Sequence, residues 1–205
     1  MRVGGVVLAA GAASRFGGHK LVAQLHGRPI LRHVLDAAAD AGLDPIIVVG
    51  PPDDRLAGMD IDPAVVVVNE HPEEGLSSSV RLGLRALEAD AMAPALDGAV
   101  LLQGDQPLVR ASAIRALLAA AAETPGVPFL VARHAGDRSP NPVLARRSTW
   151  RLADELAGDR GFGPLLATHD ELVRYVDVDG TNPDIDTPAD LERLSGTDRP
   201  PSDVS

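Results

Sequence analysis

A glycine-containing segment near the N-terminus carries residue types that bind phosphate. The stretch Leu8–Lys20 follows a short apolar run and contains Gly11 and two further glycines. Glycine permits positive φ and close backbone approach, so that successive N–H groups can converge on phosphate oxygens. Arg15 adds a planar fork of donors and Lys20 a point charge, and together they suit a triphosphate or the pyrophosphate that leaves from it. The stretch matches neither the P-loop nor the dinucleotide-binding glycine pattern, and the alternative is a turn with a solvated Arg and Lys.

A serine-rich segment, Gly75–Leu84, follows the third apolar run of the chain. Taken alone, it predicts an amphipathic helix that is capped by Ser77 or Ser78 and reaches about Ala89. A backbone group and a hydroxyl at such a position can also read the Watson–Crick edge of a nucleobase. These residues leave both interpretations open.

An aspartate with the chemistry of a magnesium ligand follows the fourth apolar run. Asp105 lies in the turn Gly104–Pro107, which is separated from the run Ala99–Leu102 by Gln103 alone. Ligands of open α/β sheets bind at the carboxyl ends of the strands, and Mg²⁺ takes one or two carboxylates together with phosphate oxygens. The alternative is an aspartate that caps a turn.

A second acidic segment lies near the C-terminus, at Asn182–Leu191. It supplies a partner carboxylate for a metal ion. It also predicts a helix start, with Thr187 at the N-cap, Pro188 at N1 and Asp190 at N3. Both interpretations can hold at once.

Strand-like and helix-like segments alternate along most of the chain. The predicted strands are Val3–Leu8, Ile46–Val49, Val65–Val68, Ala99–Leu102, Phe129–Ala132, Pro142–Ala145 and Leu172–Val178. The predicted helices cover about 30–41, 77–89, 112–122 with Ser112 as the cap, 147–157, 162–168 and a closing helix from Pro188. This alternation predicts a single three-layer α/β/α domain over residues 1–194 with a mainly parallel sheet, followed by a disordered tail at 195–205.

The composition excludes several classes of function. The 205 residues include no cysteine, so a disulfide scaffold, a thiolate nucleophile and Cys-dependent metal sites are excluded, and the six histidines show no paired metal spacing. A net charge of −10 argues against general nucleic-acid binding, which needs a basic surface. No apolar run approaches the roughly 20 residues of a membrane span, and no secretory signal is recognisable. We therefore expect a cytoplasmic protein without nucleic-acid or membrane partners.

The N-terminal string resembles the Leu-Ala-x-Gly-x-x-x-Arg-Met-Gly-x-x-Lys signature of MobA-like and sugar-nucleotide pyrophosphorylase nucleotidyltransferases, with Phe16 in place of Met. The resemblance covers Val3–Leu194 and implies a Rossmann-like nucleotide-diphospho-sugar transferase fold and an Mg²⁺-dependent nucleotidyltransferase. It implies catalytic roles for Arg15, Lys20 and Asp105, and metal binding by Asp105 and Asp184, with Asp186 as the weaker candidate. The residues that it implies for nucleotide binding are Leu8, Ala9, Ala10, Gly11, Arg15, Lys20, Gly75, Ser79 and Gly104, of which Gly75 and Ser79 would hold the base.

Within that family, the strings look most like the molybdenum cofactor cytidylyltransferases. These transfer CMP from CTP to the phosphate of molybdopterin, and Ala10 favours CTP because the guanylyl enzymes usually have glycine there. The family's His-Pro-Val-Leu is Asn141–Leu144 here, and the arginine of its Gly-Asp-x-Gly-Ala-Arg string is Gly163. The resemblance implies an acceptor site that includes Asn141, Pro142 and Arg160.

Other functions of the same fold stay open at this point. They are GTP-dependent guanylyl transfer to the molybdenum cofactor, CTP or UTP transfer to a sugar or polyol phosphate, and non-catalytic delivery of a cofactor. The expected partners are an NTP and a phosphorylated acceptor such as molybdopterin, with a transient contact to a client molybdoenzyme.

Overall fold

The apolar runs of the sequence form the strands of a seven-stranded sheet. The computed structural model describes residues 1–11, 13, 15–89, 95–135 and 141–196. In chain order, the strands are β1 Val3–Leu8, β2 Gln24–Leu25, β3 Arg28–Pro29, β4 Ile46–Gly50, β5 Val65–Val68, β6 Gly98–Gln103, β7 Phe129–His134, β8 Val143–Arg146 and β9 Val173–Val178. Strands β2 and β3 form a separate two-stranded hairpin. The predicted strands are therefore confirmed, while the hairpin is an element that the sequence patterns did not indicate.

The order of the large sheet is β5-β4-β1-β6-β8-β7-β9. All pairings are parallel except those of β8, which runs antiparallel to both β6 and β7. The chain adds β4 and β5 on one side of β1 and then crosses to place β6 on the other side. Such a reversal of strand order opens a crevice outside the carboxyl ends of the two central strands, here β1 and β6.

Helices cover both faces of the sheet. They are α1 Ile30–Asp40, α2 Leu76–Ala89, α3 Ala111–Glu123, α4 Gly163–Thr168 and α5 Pro188–Ser195. One apolar core lies between the sheet and the two helices α1 and α3. The other lies on the opposite face, between the sheet and α2, α4 and the segment 147–155. The predicted three-layer, Rossmann-like α/β/α arrangement is confirmed. Among the described residues, no helix combines the length and apolar character needed to cross a membrane.

Three predictions of helix geometry are wrong in detail. Helix α2 begins at Leu76, so Ser77 and Ser78 lie inside its first turn, and the Ser78 hydroxyl donates to a carbonyl instead of capping an N–H. Helix α3 begins one residue before Ser112, because the extended residue at its N-cap is Arg110. The segment Arg147–Glu155 is a 3₁₀ helix rather than an α-helix.

The predicted start of α5 is confirmed. Thr187 accepts a hydrogen bond from the N–H of Asp190, and the Asp190 carboxylate accepts one from the N–H of Thr187, which completes a capping box with Pro188 in the first turn. The Thr187 hydroxyl and the Thr187 N–H both donate to the Asp190 carboxylate, which lowers the pKa of Asp190 to about 2. Ser195 is the last residue of α5 and so does not belong to a tail, whereas residues 197–205 of the predicted tail lie outside the described residues.

The α5 cap positions the preceding acidic segment. Ile185 is fully buried against Leu25 and Ile30, and Leu191 and Leu194 of α5 pack on the same small cluster. The capping box therefore fixes the point where the acidic segment ends and the helix begins.

We predict that Thr187→Ala lowers the free energy of unfolding by about 1 kcal/mol, because an N-cap hydrogen bond at α5 is lost. Urea denaturation followed by circular dichroism measures this difference. Thr181→Ala is the matched control, because Thr181 is exposed. Equal losses in the two variants would mean that the capping box does not stabilise the fold.

Candidate active site

A cavity of about 360 Å³ opens at the carboxyl ends of β1 and β6. Its walls come from the N-terminal segment, the start of α2, the turn after β6 and the segment before α4. The lining residues are Leu8, Ala9, Ala10, Gly11, Ala13, Lys20, Leu21, Pro72, Glu73, Gly75, Leu76, Ser79, Gln103, Asp105 and Asp159. The volume and the mixture of apolar walls with a few polar groups are those of a small-molecule site.

Lys20 brings a buried amine to this cavity. The residue is 8% exposed, and its Nζ lies 2.6 Å from Oδ2 of Asp105 and 3.6 Å from Oδ1 of Asp186. A lysine buried to this extent needs a carboxylate beside it, because an isolated charge loses several kcal/mol of hydration on burial. The contact joins the end of the N-terminal segment to the turn after β6.

Arg15 lies at the rim of the site rather than in the wall of the cavity. Its side chain is 76% exposed, and Nη1 lies 3.1 Å from Oδ2 of Asp186. A further cation that the sequence patterns did not single out is Arg55, whose Nη1 donates to the carbonyl of Gly11 at 3.3 Å. Arg55 is held in turn by both carboxylate oxygens of Asp53. A guanidinium group thus holds the loop that carries the predicted phosphate site, through a hydrogen bond to its backbone.

The two predicted metal ligands, Asp105 and Asp184, belong to segments that are joined by hydrogen bonds. The N–H of Ile185 donates to the carbonyl of Asp105 at 3.0 Å. Nε2 of Gln106 donates to Oδ1 of Asp184 at 2.6 Å, and Nδ2 of Asn182 donates to Oε1 of Gln106 at 3.1 Å. Gln106 and Asn182 are almost fully buried, so this chain of amides orients the Asp184 carboxylate. Neither amide was predicted to take part in the site, although Gln106 follows Asp105 directly.

Negative charge is concentrated around Asp184. Burial raises the pKa of Asp184, and the carboxylates of Asp105 and Asp186 raise it further, against opposing effects of the Gln106 hydrogen bond and of Lys20. Burial and the adjacent carboxylates therefore both disfavour the ionised form of Asp184, and Gln106 and Lys20 oppose this effect.

The donor set fits a hard divalent cation. Within the described part of the chain, Asp105 bonds Lys20 through Oδ2 and Asp184 bonds Gln106 through Oδ1, which leaves Oδ1 of Asp105 and Oδ2 of Asp184 for a cation. No group of three or more His, Cys, Asp or Glu side chains in the described residues has the geometry of a metal site. Two carboxylates suit Mg²⁺, which completes its octahedral shell with water and substrate phosphates.

The turn before α2 requires glycine at position 75. Gly75 has a φ of 88°, and a Cβ there would lie 2.4 Å from the carbonyl carbon of Gly158 and 2.7 Å from the nitrogen of Asp159. The N–H of Ser77 donates to the carbonyl of Gly158 at 3.1 Å. The start of α2, which carries Ser79 into the cavity, is therefore packed directly on the segment that precedes α4.

A second cavity of about 300 Å³ adjoins the first and shares Leu8, Leu76, Gln103 and Asp159 with it. Most of its wall is apolar. The remaining lining residues are Val80, Leu101, Asn141, Val143, Arg160, Gly161, Phe162, Gly163, Pro164 and Leu166. Asn141 and Arg160, both predicted for acceptor binding, thus lie in one cavity, and the glycine that replaces the family's arginine lies there too.

Four predicted site residues, Pro142, Gly104, Arg15 and Asp184, line neither cavity. Pro142 is buried beside Asn141 and does not line either cavity. Gly104 is also buried, and its N–H donates to the carbonyl of Leu8 at 2.9 Å, which ties the turn after β6 to the end of β1. Arg15 lies at the rim. Every other predicted nucleotide-binding residue lines the first cavity.

We predict that Gly75→Ala lowers the free energy of unfolding by at least about 1–2 kcal/mol, because a left-handed backbone is strained with a Cβ and the Gly158 carbonyl must also move. Gly126→Ala is the matched control, since Gly126 has no neighbour within 4 Å of an added Cβ. Urea denaturation measures both variants. Gly75→Ala being as stable as Gly126→Ala would contradict the packing described for this turn.

Comparison with known proteins assigns the chain to a family. The family model for the MobA-like NTP transferase domain matches residues 5–173. The bifunctional enzyme IspD/IspF of Rhodobacter capsulatus is 39% identical over 176 residues, which cover 82% of this chain and 44% of that protein. The purine catabolism protein PucB of Bacillus subtilis is 29% identical over 93% of this chain and 94% of its own. The chain spans less than half the length of the bifunctional curated relatives that it matches.

Solved structures agree with this assignment. The crystal structure of Rv0371c from Mycobacterium tuberculosis is 30% identical, with a TM-score of 0.81 over 96% of this chain and 99% of that one, and Rv0371c has also been solved in complex with manganese. The structure of CMP:2-keto-3-deoxy-manno-octonic acid synthetase complexed with CTP, 19% identical with a TM-score of 0.75 over 95% of this chain and 97% of that one, shows a shared fold. The chain belongs to the MobA-like NTP transferase domain family.

Proposed function

We propose that the protein is an Mg²⁺-dependent nucleotidyltransferase that transfers CMP from CTP to the phosphate of molybdopterin and releases pyrophosphate. The observation that carries this proposal is the single cavity that holds Lys20, Asp105 and Ser79, next to a second cavity that contains Arg160. The first cavity has groups for a triphosphate, a metal ion and a base. The second gives an acceptor a place beside them.

The proposed reaction is an in-line displacement at the α-phosphorus of the nucleotide. An oxygen of the acceptor phosphate forms the new bond to that phosphorus while the bond to the bridging oxygen of the leaving pyrophosphate breaks. An acceptor phosphate that is already ionised needs no general base. This agrees with the first cavity, because none of the described residues that line it is a histidine.

Lys20 and Arg15 would bind the leaving pyrophosphate. Both cations contact carboxylates in the structure, and a triphosphate would compete with Asp105 and Asp186 for them. The buried position of Lys20 strengthens its attraction to phosphate, because less water screens it. Positive charge held in place at the leaving group stabilises the transition state without reorganisation during the reaction.

Asp105 and Asp184 would hold the magnesium ion, and Gln106 would keep the Asp184 carboxylate oriented toward it. When bound, the ion supplies charge that offsets the repulsion among phosphate oxygens. The manganese complex of the relative Rv0371c supports a divalent metal in this fold.

Acceptor binding is assigned to the second cavity. Arg160 provides the positive charge for a phosphate, and the surrounding apolar wall suits a flat ring system. Asn141 and Gly163, which differ from the family pattern, lie here as well. This difference from the family pattern favours two other functions. One is nucleotidyl transfer to a sugar or polyol phosphate, and the other is non-catalytic delivery of a cofactor. A product destined for a molybdoenzyme would also need a transient contact with that client.

We predict that the protein releases pyrophosphate from CTP and molybdopterin in an Mg²⁺-dependent way, and that Asp184→Asn lowers the rate about 100-fold, a loss of roughly 3 kcal/mol of transition-state stabilisation. Asparagine keeps an oxygen for the Gln106 hydrogen bond, so the fold is retained while the charge is lost. A coupled pyrophosphate assay measures the rate, with Asp170→Asn, an exposed aspartate, as the control. Nucleotide binding without pyrophosphate release from any acceptor would favour the delivery protein instead.

We predict that CTP binds more tightly than GTP, and that Ala10→Gly gains GTP affinity while keeping most of its CTP affinity. Ala10 is buried and lines the first cavity, so its Cβ limits the space beside the base, and a pyrimidine needs less of it. Calorimetric titration of both proteins with both nucleotides in the presence of Mg²⁺ tests this. A wild-type preference for GTP would replace the cytidylyl proposal with the guanylyl one.

A further inference from the structure

A buried asparagine connects the loop after β5 to the proposed base site. Asn69 is 4% exposed, and its Nδ2 donates to Oγ of Ser78 at 2.8 Å and to Oγ of Ser79 at 3.0 Å. Its Oδ1 accepts a hydrogen bond from the N–H of His71 at 3.0 Å. All three polar positions of this amide are therefore used.

The orientation of the Asn69 amide is fixed by its neighbours. A backbone N–H is only a donor, so the atom that faces the N–H of His71 must be the amide oxygen. The amide nitrogen then faces the two serines, and each of its hydrogens goes to one hydroxyl oxygen. If the amide were flipped by 180°, its NH₂ group would face the N–H of His71, and two donors would meet. This orientation is excluded.

The two serines differ in where their own protons go. The hydroxyl of Ser78 donates to the carbonyl of Gly75 at 2.8 Å, so Ser78 is satisfied within the turn. The hydroxyl of Ser79 accepts from Asn69, and its proton has no acceptor in the part of the chain that the structure describes. Ser79 is 4% exposed and lines the first cavity. The proton of Ser79 is therefore available to whatever that cavity binds.

We propose that Asn69 is a positioning residue that fixes the Ser79 hydroxyl as a hydrogen-bond donor to the nucleobase. The inference rests on the proposed nucleotide site. With Asn69 occupying one lone pair of the oxygen, the hydroxyl proton is directed to a base atom that accepts, a carbonyl oxygen or an unprotonated ring nitrogen. Asn69 thereby favours an acceptor edge without touching the ligand itself.

The polarity of this contact can be inverted by one substitution. In Asn69→Asp, a carboxylate oxygen still accepts from the N–H of His71, but the other oxygen can only accept from the serines. The proton of Ser79 then turns toward position 69, and its lone pairs face the base. We expect the affinity for CTP to fall about tenfold, because an acceptor on the base meets an acceptor on the protein.

The experiment compares CTP with inorganic tripolyphosphate by calorimetry, using the full chain with Mg²⁺. Asn69→Asp should weaken CTP about tenfold and change tripolyphosphate binding less than twofold. Ser79→Ala should do the same, and the double variant should be no weaker than either single variant, because Asn69 acts through Ser79. Ser78→Ala, which removes the neighbouring acceptor and keeps Ser79, should leave the ratio of the two affinities unchanged. If Asn69→Asp does not fold, Asn69→Ala takes its place in the same cycle.

Several outcomes would overturn the inference. Equal weakening of CTP and tripolyphosphate by Asn69→Asp would show a general structural or charge effect, and additive losses in the double variant would show that Asn69 does not act through Ser79. An unchanged CTP affinity in Asn69→Asp would also contradict the role proposed for Asn69. A wild type that prefers GTP overturns only the cytidylyl proposal, and the same comparison is then made with GTP. A wild type that binds no NTP more tightly than tripolyphosphate removes both the base site and the role of Asn69.

Discussion

Burial of the Lys20 side chain obliges three distant parts of the sequence to meet. A buried amine is tolerated when a carboxylate lies beside it, and the carboxylates within reach of Lys20 are Asp105 at 2.6 Å and Asp186 at 3.6 Å. One follows β6 and the other precedes α5. The backbone hydrogen bond from Ile185 to Asp105 and the burial of the Ile185 side chain hold these two segments side by side, so that both carboxylates lie next to Lys20.

The same cluster contains more negative than positive charge. Asp105, Asp184 and Asp186 face Lys20 and Arg15, and burial together with the two neighbouring carboxylates raises the pKa of Asp184. The protein stabilises this arrangement with neutral amides, since Gln106 and Asn182 orient the Asp184 carboxylate without adding charge. Under the proposed function, this fixed cluster with its excess of carboxylates would receive the cation that accompanies the nucleotide.

The sequence was sufficient for the strands and for the edge of the sheet where the site lies. Apolar runs such as Val3–Leu8 predict buried strands because both faces of a central strand are covered, and the residues after such strands must meet at one edge. The position of α5 was also predictable, because its capping box is local chemistry. The first residues of α2 and α3 were not predictable, since serine is common both at a helix cap and in a first turn. The start of α2 is fixed by its packing against Gly158, which is distant in the sequence. Gln106, Asn69 and Arg55 were missed because their roles depend on partners that are distant in the sequence or lie in turns that the sequence did not predict.

The turn before α2 links the two cavities mechanically. Gly75 leaves no room between itself and Gly158, so the segment that carries Asp159 and Arg160 rests directly on the turn that presents Ser79. Asp159 lines both cavities, and its backbone nitrogen is one of the atoms that a side chain at position 75 would strike. Movement of either segment must therefore change the walls of both cavities. Under the proposed function, a nucleotide bound at the Gly75 turn would therefore also affect the wall of the acceptor cavity. Close packing at one glycine would in this way couple nucleotide binding to acceptor binding.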